Sequence, residues 1–224
     1  MPIDSPRRSC CDQDFERLFD AREARHDLEQ WRRGAVPAAT RELIDAIRGI
    51  GVRGATLLDI GAGVGIIHLE LLEAGAASAV DVDASSAYLE AAAAEAARRG
   101  LADRVTYHLG DIVEIAPDLH PAQIVTLDRV ICCYPDLPAM LGAAVMPGTQ
   151  VIGLVHPTDR WWMRASMAGF NAVSRLLRRR HSFYVHRRAE VDRLMRDAGF
   201  AESHRGGGRI WQVAVYRRAA TSRA

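Results

Sequence analysis

The chain has 224 residues, 25% of them charged and 49% hydrophobic, which is ordinary globular composition and not that of a disordered chain. All 29 basic side chains are arginine, so there is no Schiff-base lysine, pyridoxal anchor, P-loop lysine or Ser-Lys hydrolase. The net charge of +1 conceals a division: residues 1–150 carry 14 Arg against 23 acids, whereas residues 151–224 carry 15 against 5, which suggests two ligand preferences.

Residues 12–33 are charged, with apolar Phe15, Leu18, Phe19 and Leu28, and read as helix; residues 40–50 read as a second helix stopped by glycine. From there strands alternate with helices. Strands are predicted at 55–60, 77–82, 105–109, 123–130 and 150–155, with helices to 74, to 99 and over 137–145. Such alternation predicts a parallel sheet covered on both faces. Residues 161–180 and 188–198 read as amphipathic helices. Strands at 200–204 and 210–216, joined around Gly206-Gly207-Gly208, must be antiparallel because so short a loop closes only a hairpin. The fold class expected is therefore α/β: a Rossmann-like seven-stranded sheet, mostly parallel, ending in an antiparallel hairpin, with helices on both faces. One domain is expected over 1–224, with a helical cap at 1–50, a cofactor-binding core at 51–156, a helical lid at 157–188 and a final helix and hairpin at 189–218.

The segment LLDIGAGVGIIHLEL runs from a strand through Gly61, Gly63 and Gly65 into a helix, a turn in which a ligand can approach the main chain. A dinucleotide fingerprint wants its third glycine at 66, where this chain has Ile66, and Asp59 adds negative charge where a diphosphate would sit. Both features disfavour a nicotinamide oxidoreductase and favour a ligand with a cationic group. Asp83 closes the second strand 20 residues after Gly63, where a carboxylate can accept from both hydroxyls of a ribose. It could equally cap the next helix, and Asp81 competes for its role. Asp111 follows the third strand, where it can accept from an adenine amino group.

With LLDIGAGVG, AVDVDASSAYL, RVTYHLGD and IVTLDRVICCYPD in place, the chain resembles the class I S-adenosylmethionine-dependent methyltransferases from about Val36 to Arg217. The resemblance implies that Asp59, Gly61 and Gly63 surround the methionine portion of S-adenosylmethionine, that Asp83 holds the ribose, and that Asp111 and Ile112 hold the adenine. Ala62, Gly65, Ala84 and Asp128 complete the cofactor-binding set it implies. More loosely, the chain is similar to magnesium-protoporphyrin O-methyltransferases. Those have His-Tyr-Pro after the fourth strand where this chain has Cys133-Tyr134-Pro135, and the CCYPD form looks closer to an uncharacterised bacterial branch of small-molecule methyltransferases.

A sulfonium is already an activated methyl donor, so the protein chiefly aligns the nucleophile and excludes water. Where the acceptor is protonated, a base helps; His156 at the end of the fifth strand is the candidate base, and Tyr134 the candidate for positioning the acceptor. Substituting either is expected to lower turnover without weakening cofactor binding. Cys10-Cys11 and Cys132-Cys133 have neither disulfide-framework nor zinc spacing, and no metal is expected. The stretch from Trp161 to Arg188 should sit over the open end of the crevice. Its stripes Met163-Met167-Phe170-Leu177 and Trp162-Ala165-Val173-Leu176 either bury on the sheet or form a lid. Arg178-Arg179-Arg180, with Arg187 and Arg188, is either a solvated face or a grip on an acceptor carboxylate or phosphate.

The function expected is methyl transfer to a small, apolar or anionic acceptor, at oxygen rather than nitrogen. The alternatives are an RNA-modifying methyltransferase, which the lack of interleaved aromatics in the basic run disfavours, and a non-catalytic S-adenosylmethionine-binding protein. No apolar run is long enough for a membrane span and the start lacks a signal core, so a cytoplasmic location is expected.

Overall fold

A computed structural model describes residues 19–178 and 181–219. Two helices, α1 (Ala21–Arg32) and α2 (Ala38–Ile50), lead into β1 (Thr56–Ile60), α3 (Ile66–Glu73), β2 (Ser78–Asp83), α4 (Ser86–Arg98) and β3 (Val105–Leu109). Then come the single turn α5 (Ile112–Ile115), β4 (Ile124–Asp128), α6 (Leu137–Ala144) and β5 (Val151–Pro157). After these, α7 (Trp161–Leu176), α8 (Arg188–Asp197), β6 (Phe200–Gly207) and β7 (Trp211–Arg218) complete the described residues. The caps are local and legible. Asp20, Ser85, Asp111 and Asp136 each accept a backbone N–H in the first turn of the helix that follows.

One seven-stranded sheet forms in the order β3-β2-β1-β4-β5-β7-β6. The first five strands pair in parallel, and β7 pairs antiparallel with both β5 and β6. The expected fold class is therefore observed. The order reverses between β1 and β4, and ligands of such sheets bind beyond the carboxyl ends of the strands at that reversal. Side chains alternate across the sheet. Leu57, Val151 and Val155 join Trp31, Leu43, Ile47 and Leu69 on the face covered by α1 to α4. Leu58, Leu127 and Leu154 join Leu137, Met140 and Val191 on the face covered by α5, α6 and α8.

Several boundaries differ from the sequence expectation; the fourth strand, for one, ends at Asp128 and not at Val130. The 161–180 pattern yields a helix only to Leu176, and the chain turns at Arg178 with φ +52. Gly206 and Gly207 belong to β6, and the turn is closed by Gly208 N–H donating to Trp211 O at 2.7 Å. The glycines serve a close approach. Glu42 of α2 accepts from Gly207 N–H at 2.9 Å and from His204 Nε2 at 2.9 Å, and a β-carbon on Gly206 would collide with that carboxylate.

Candidate functional site

The ends of β1, β2 and β4 and the loop after β3 surround a crevice of about 720 Å3. Gly61, Gly63, Asp83, Ala84, Asp111, Ile112, Asp128 and Tyr134, all singled out in the sequence, line it together. Gly61 has φ +61 and its N–H donates to Val82 O at 2.7 Å. A β-carbon there would run into Val130, so only glycine lets β1 turn beneath the β4 loop. Ala62 and Gly65 belong to the same turn but are not among the residues that line the crevice.

Asp83, not Asp81, reaches the crevice. Its Oδ2 accepts from Gly63 N–H at 3.1 Å and its Oδ1 from Ser85 N–H at 2.9 Å, which ties the glycine turn to the end of β2. Burial pushes its carboxyl up to about 6 against these hydrogen bonds. Asp81, in mid-strand and fully buried, has neither oxygen hydrogen-bonded among the described residues, and burial raises its carboxyl well above the usual range.

Asp59 points down into the protein. Its Oδ1 accepts from Thr126 Oγ1 at 2.6 Å and its Oδ2 from His68 Nδ1 at 3.0 Å. It therefore braces the glycine turn from beneath while its oxygens stay out of the crevice lining. Asp111 caps α5 by accepting from Val113 N–H at 2.9 Å, and its other oxygen accepts from the Tyr134 hydroxyl at 3.0 Å. Asp128 accepts from Thr40 Oγ1 at 2.6 Å and from Arg129 Nε at 3.2 Å, and burial raises its carboxyl.

His156 does not line the crevice. It is buried on β5, with Gln212 Nε2 3.3 Å from Nδ1, and desolvation pushes its imidazole down to about 4. Its neighbour Pro157 takes the lining position, because successive residues of a strand face opposite sides. Cys132 and Cys133 line the crevice, their sulfurs 3.9 Å apart, and this hydrogen bond lowers the Cys132 thiol. Cys10-Cys11 lies outside the described residues.

The insertion roofs the crevice. Met167 and Phe170 of α7 line it with Phe183, and Met163 is buried below. The first predicted stripe therefore faces inward as far as Phe170, whereas Val173 and Leu176 of the second face solvent. The roof is strapped down. Asn171 exchanges two hydrogen bonds with the Phe183 backbone, at 2.6 and 2.9 Å, and Tyr184 N–H donates to Cys132 O at 2.7 Å. His186 Nε2 must carry its hydrogen, since it lies 2.9 and 3.0 Å from two acceptors, the carbonyls of Ile131 and Tyr134.

Several lining residues were not visible in the sequence. Phe19 and, on α1, Glu23 and Asp27 form one wall, held there by the Tyr88 hydroxyl donating to Asp27 at 2.7 Å. Among the described residues Arg129, with φ +61, is the one arginine of the lining, and it is paired with Asp128. Its left-handed backbone within the DRV triplet is a signal only the structure reveals. Five carboxylates and one paired guanidinium give the crevice a surplus of negative charge.

Residues 57–145 match the methyltransferase domain family, over the stretch that supplies most of this lining. Over that stretch the chain is similar to methyltransferase domains. The methyltransferase fold extends further than that match. An O-methyltransferase family protein from Burkholderia thailandensis superposes with a TM-score of 0.68 at 18% identity, covering 95% of this chain and 64% of that one. Magnesium protoporphyrin IX methyltransferase from Synechocystis PCC 6803, bound to S-adenosylhomocysteine, superposes with a TM-score of 0.65 at 16% identity, covering 87% and 95%. Ribosomal protein L11 methyltransferase from Yersinia pseudotuberculosis is 29% identical over 114 residues, or 48% of this chain. The chain spans 39% of that relative's length.

Proposed function

We propose that the chain transfers the methyl group of S-adenosylmethionine to a small apolar acceptor, at oxygen. The observation that carries this is a single crevice lined by both carboxylates and apolar side chains. Asp83, Asp111, Asp27 and Glu23 line it together with the glycine turn, and Met167, Phe170 and Phe183 of the insertion line it as well. Such a surplus of carboxylates suits a donor that carries a sulfonium and an ammonium. Buried carboxylates already hydrogen-bonded to backbone N–H groups are oriented acceptors for ribose hydroxyls at Asp83, and Asp111 with Ile112 offers the corresponding site for adenine. Gly61 and Gly63 leave room beside the main chain for the methionine portion, and Asp59 holds that turn in place.

S-adenosylmethionine supplies the activated methyl group. The chain's own residues hold the acceptor in line and keep water out, which is the principal requirement for such a transfer. Met167 and Phe170 provide an apolar ceiling, and the Asn171 and Tyr184 hydrogen bonds keep it closed. His156 is too deeply placed to serve as the base, so the acceptor's proton passes to bulk water at the mouth of the crevice once the methyl group has been transferred. None of the arginines on α7 lines the crevice, which favours an uncharged acceptor over an anionic one and over nucleic acid. The test is methyl transfer from labelled S-adenosylmethionine across a metabolite extract, with products identified by mass. A labelled lipophilic ether or ester is the expected product. Labelled RNA or protein alone would overturn the reading, and tight donor binding without any product would make the chain a non-catalytic binder.

A further inference from the structure

The outer side of the roof helix is built the wrong way round for a helix facing water. Met163, Met167 and Ser174 mark the side of α7 turned to the protein. At 100° per residue the opposite side carries Trp161, Ala165, Ala172 and Leu176, all exposed, with Val173 beside them. Trp161 is 75% exposed, Leu176 83%, Leu177 57% and Val173 56%. An ordinary surface helix presents charge there; a contiguous apolar strip of this kind marks a contact surface.

Charge identifies the occupant. From Arg160 to Ala189 the sequence has eight arginines and not one Asp or Glu. Among the described residues, Arg160, Arg164, Arg175, Arg178 and Arg187 make no ion pair, although paired arginines abound elsewhere in the chain. Arg164 and Arg175 flank the apolar strip along one edge. A second copy of the chain is disfavoured, since a twofold contact would set this arginine-rich face against itself. An apolar strip ending in tryptophan and edged by arginine is the pattern of a helix lying in the plane of a bilayer.

We propose that α7 docks the protein, outer face down, on an anionic lipid surface. No helix among the described residues is long and apolar enough to cross a membrane, so the contact is peripheral. This surface is distinct from the crevice and its test requires no methyl acceptor. The full chain is sedimented with vesicles of phosphatidylcholine mixed with phosphatidylglycerol, and with vesicles of phosphatidylcholine alone. Binding to the anionic vesicles, weakened by salt, is the expected result. Leu176→Glu should lower it roughly tenfold. Joint neutralisation of Arg164 and Arg175 to Gln should lower it roughly 25-fold, at about fivefold for each arginine. S-adenosylhomocysteine binding serves as the fold control, and should a variant fail it, the other variant decides. Absence of vesicle binding, equal binding to neutral vesicles, variants that bind like the parent, or binding to RNA in place of vesicles would each overturn the proposal.

Discussion

The Tyr134 hydroxyl donates to Asp111 Oδ2 at 3.0 Å, joining the loop after β4 to the loop after β3 at the edge of the crevice. Tyr134 therefore supports the carboxylate assigned to adenine, and its influence should appear in donor binding. Tyr134→Phe should weaken S-adenosylhomocysteine about tenfold, the effect of one hydrogen bond to a buried carboxylate. Calorimetric titration measures this directly, and unchanged affinity would separate Tyr134 from the donor site.

Asp83 sets a pH dependence. Its carboxyl is raised to about 6 by burial, so the folded state holds the proton more tightly than the unfolded chain does. Donor affinity should rise as pH increases through about 6, because hydroxyl groups donate to the ionised form. Asp83→Asn should bind weakly and flatly over the same range. A parent affinity independent of pH there would contradict the ribose assignment.

Asp81 offers a stability gain. A carboxyl raised by burial favours folding at low pH, and that contribution is lost as pH rises from the usual carboxylate range through the folded value. Asp81→Asn removes a carboxyl that is harder to ionise in the folded protein than in the unfolded chain. It should stabilise the protein near neutrality by about 1 kcal/mol, or roughly 2–4 °C in the melting midpoint. Thermal unfolding at neutral and acid pH should show the advantage vanishing below the usual carboxylate range.

His156 should behave as a structural residue. Its imidazole, pushed down to about 4 by burial, resists protonation in the folded state but not in the unfolded one. Its contribution is complete above the ordinary imidazole value of about 6.5 and is lost as pH falls from there through about 4. His156→Gln should keep methyl transfer within about twofold of the parent while reducing the acid destabilisation. A loss of turnover at unchanged stability would return His156 to the mechanism.

Gly61→Ala should abolish donor binding. It places a side chain at φ +61 and against Val130, costing about 1–3 kcal/mol by overpacking. Pairing it with Val130→Ala should restore part of the stability, which chemical denaturation would measure.

The sheet and most of the acid-lined half of the crevice were legible because they follow from local repetition. Asp83 and Asp111 each stand at the end of a strand, and parallel strands in order bring their ends together. The wall formed by Glu23 and Asp27 was not legible: nothing within α1 reveals that Tyr88, 61 residues from Asp27, will hold it. His156 and Pro157 are adjacent, and which one faces the crevice depends on register with β7, a long-range pairing. The stripes on α7 were both apolar, so periodicity alone could not decide which would face inward.

Helix α2 touches both ends of the molecule's working parts. Thr40 fixes Asp128 at the crevice, and two residues later Glu42 fastens the β6–β7 hairpin. It lies outside the 57–145 stretch shared with the wider family, as do the α1 wall and the roof. If the proposed function holds, grafting that shared stretch from a methyltransferase into this chain would exchange the nucleoside-binding cassette and leave the choice of acceptor with the host.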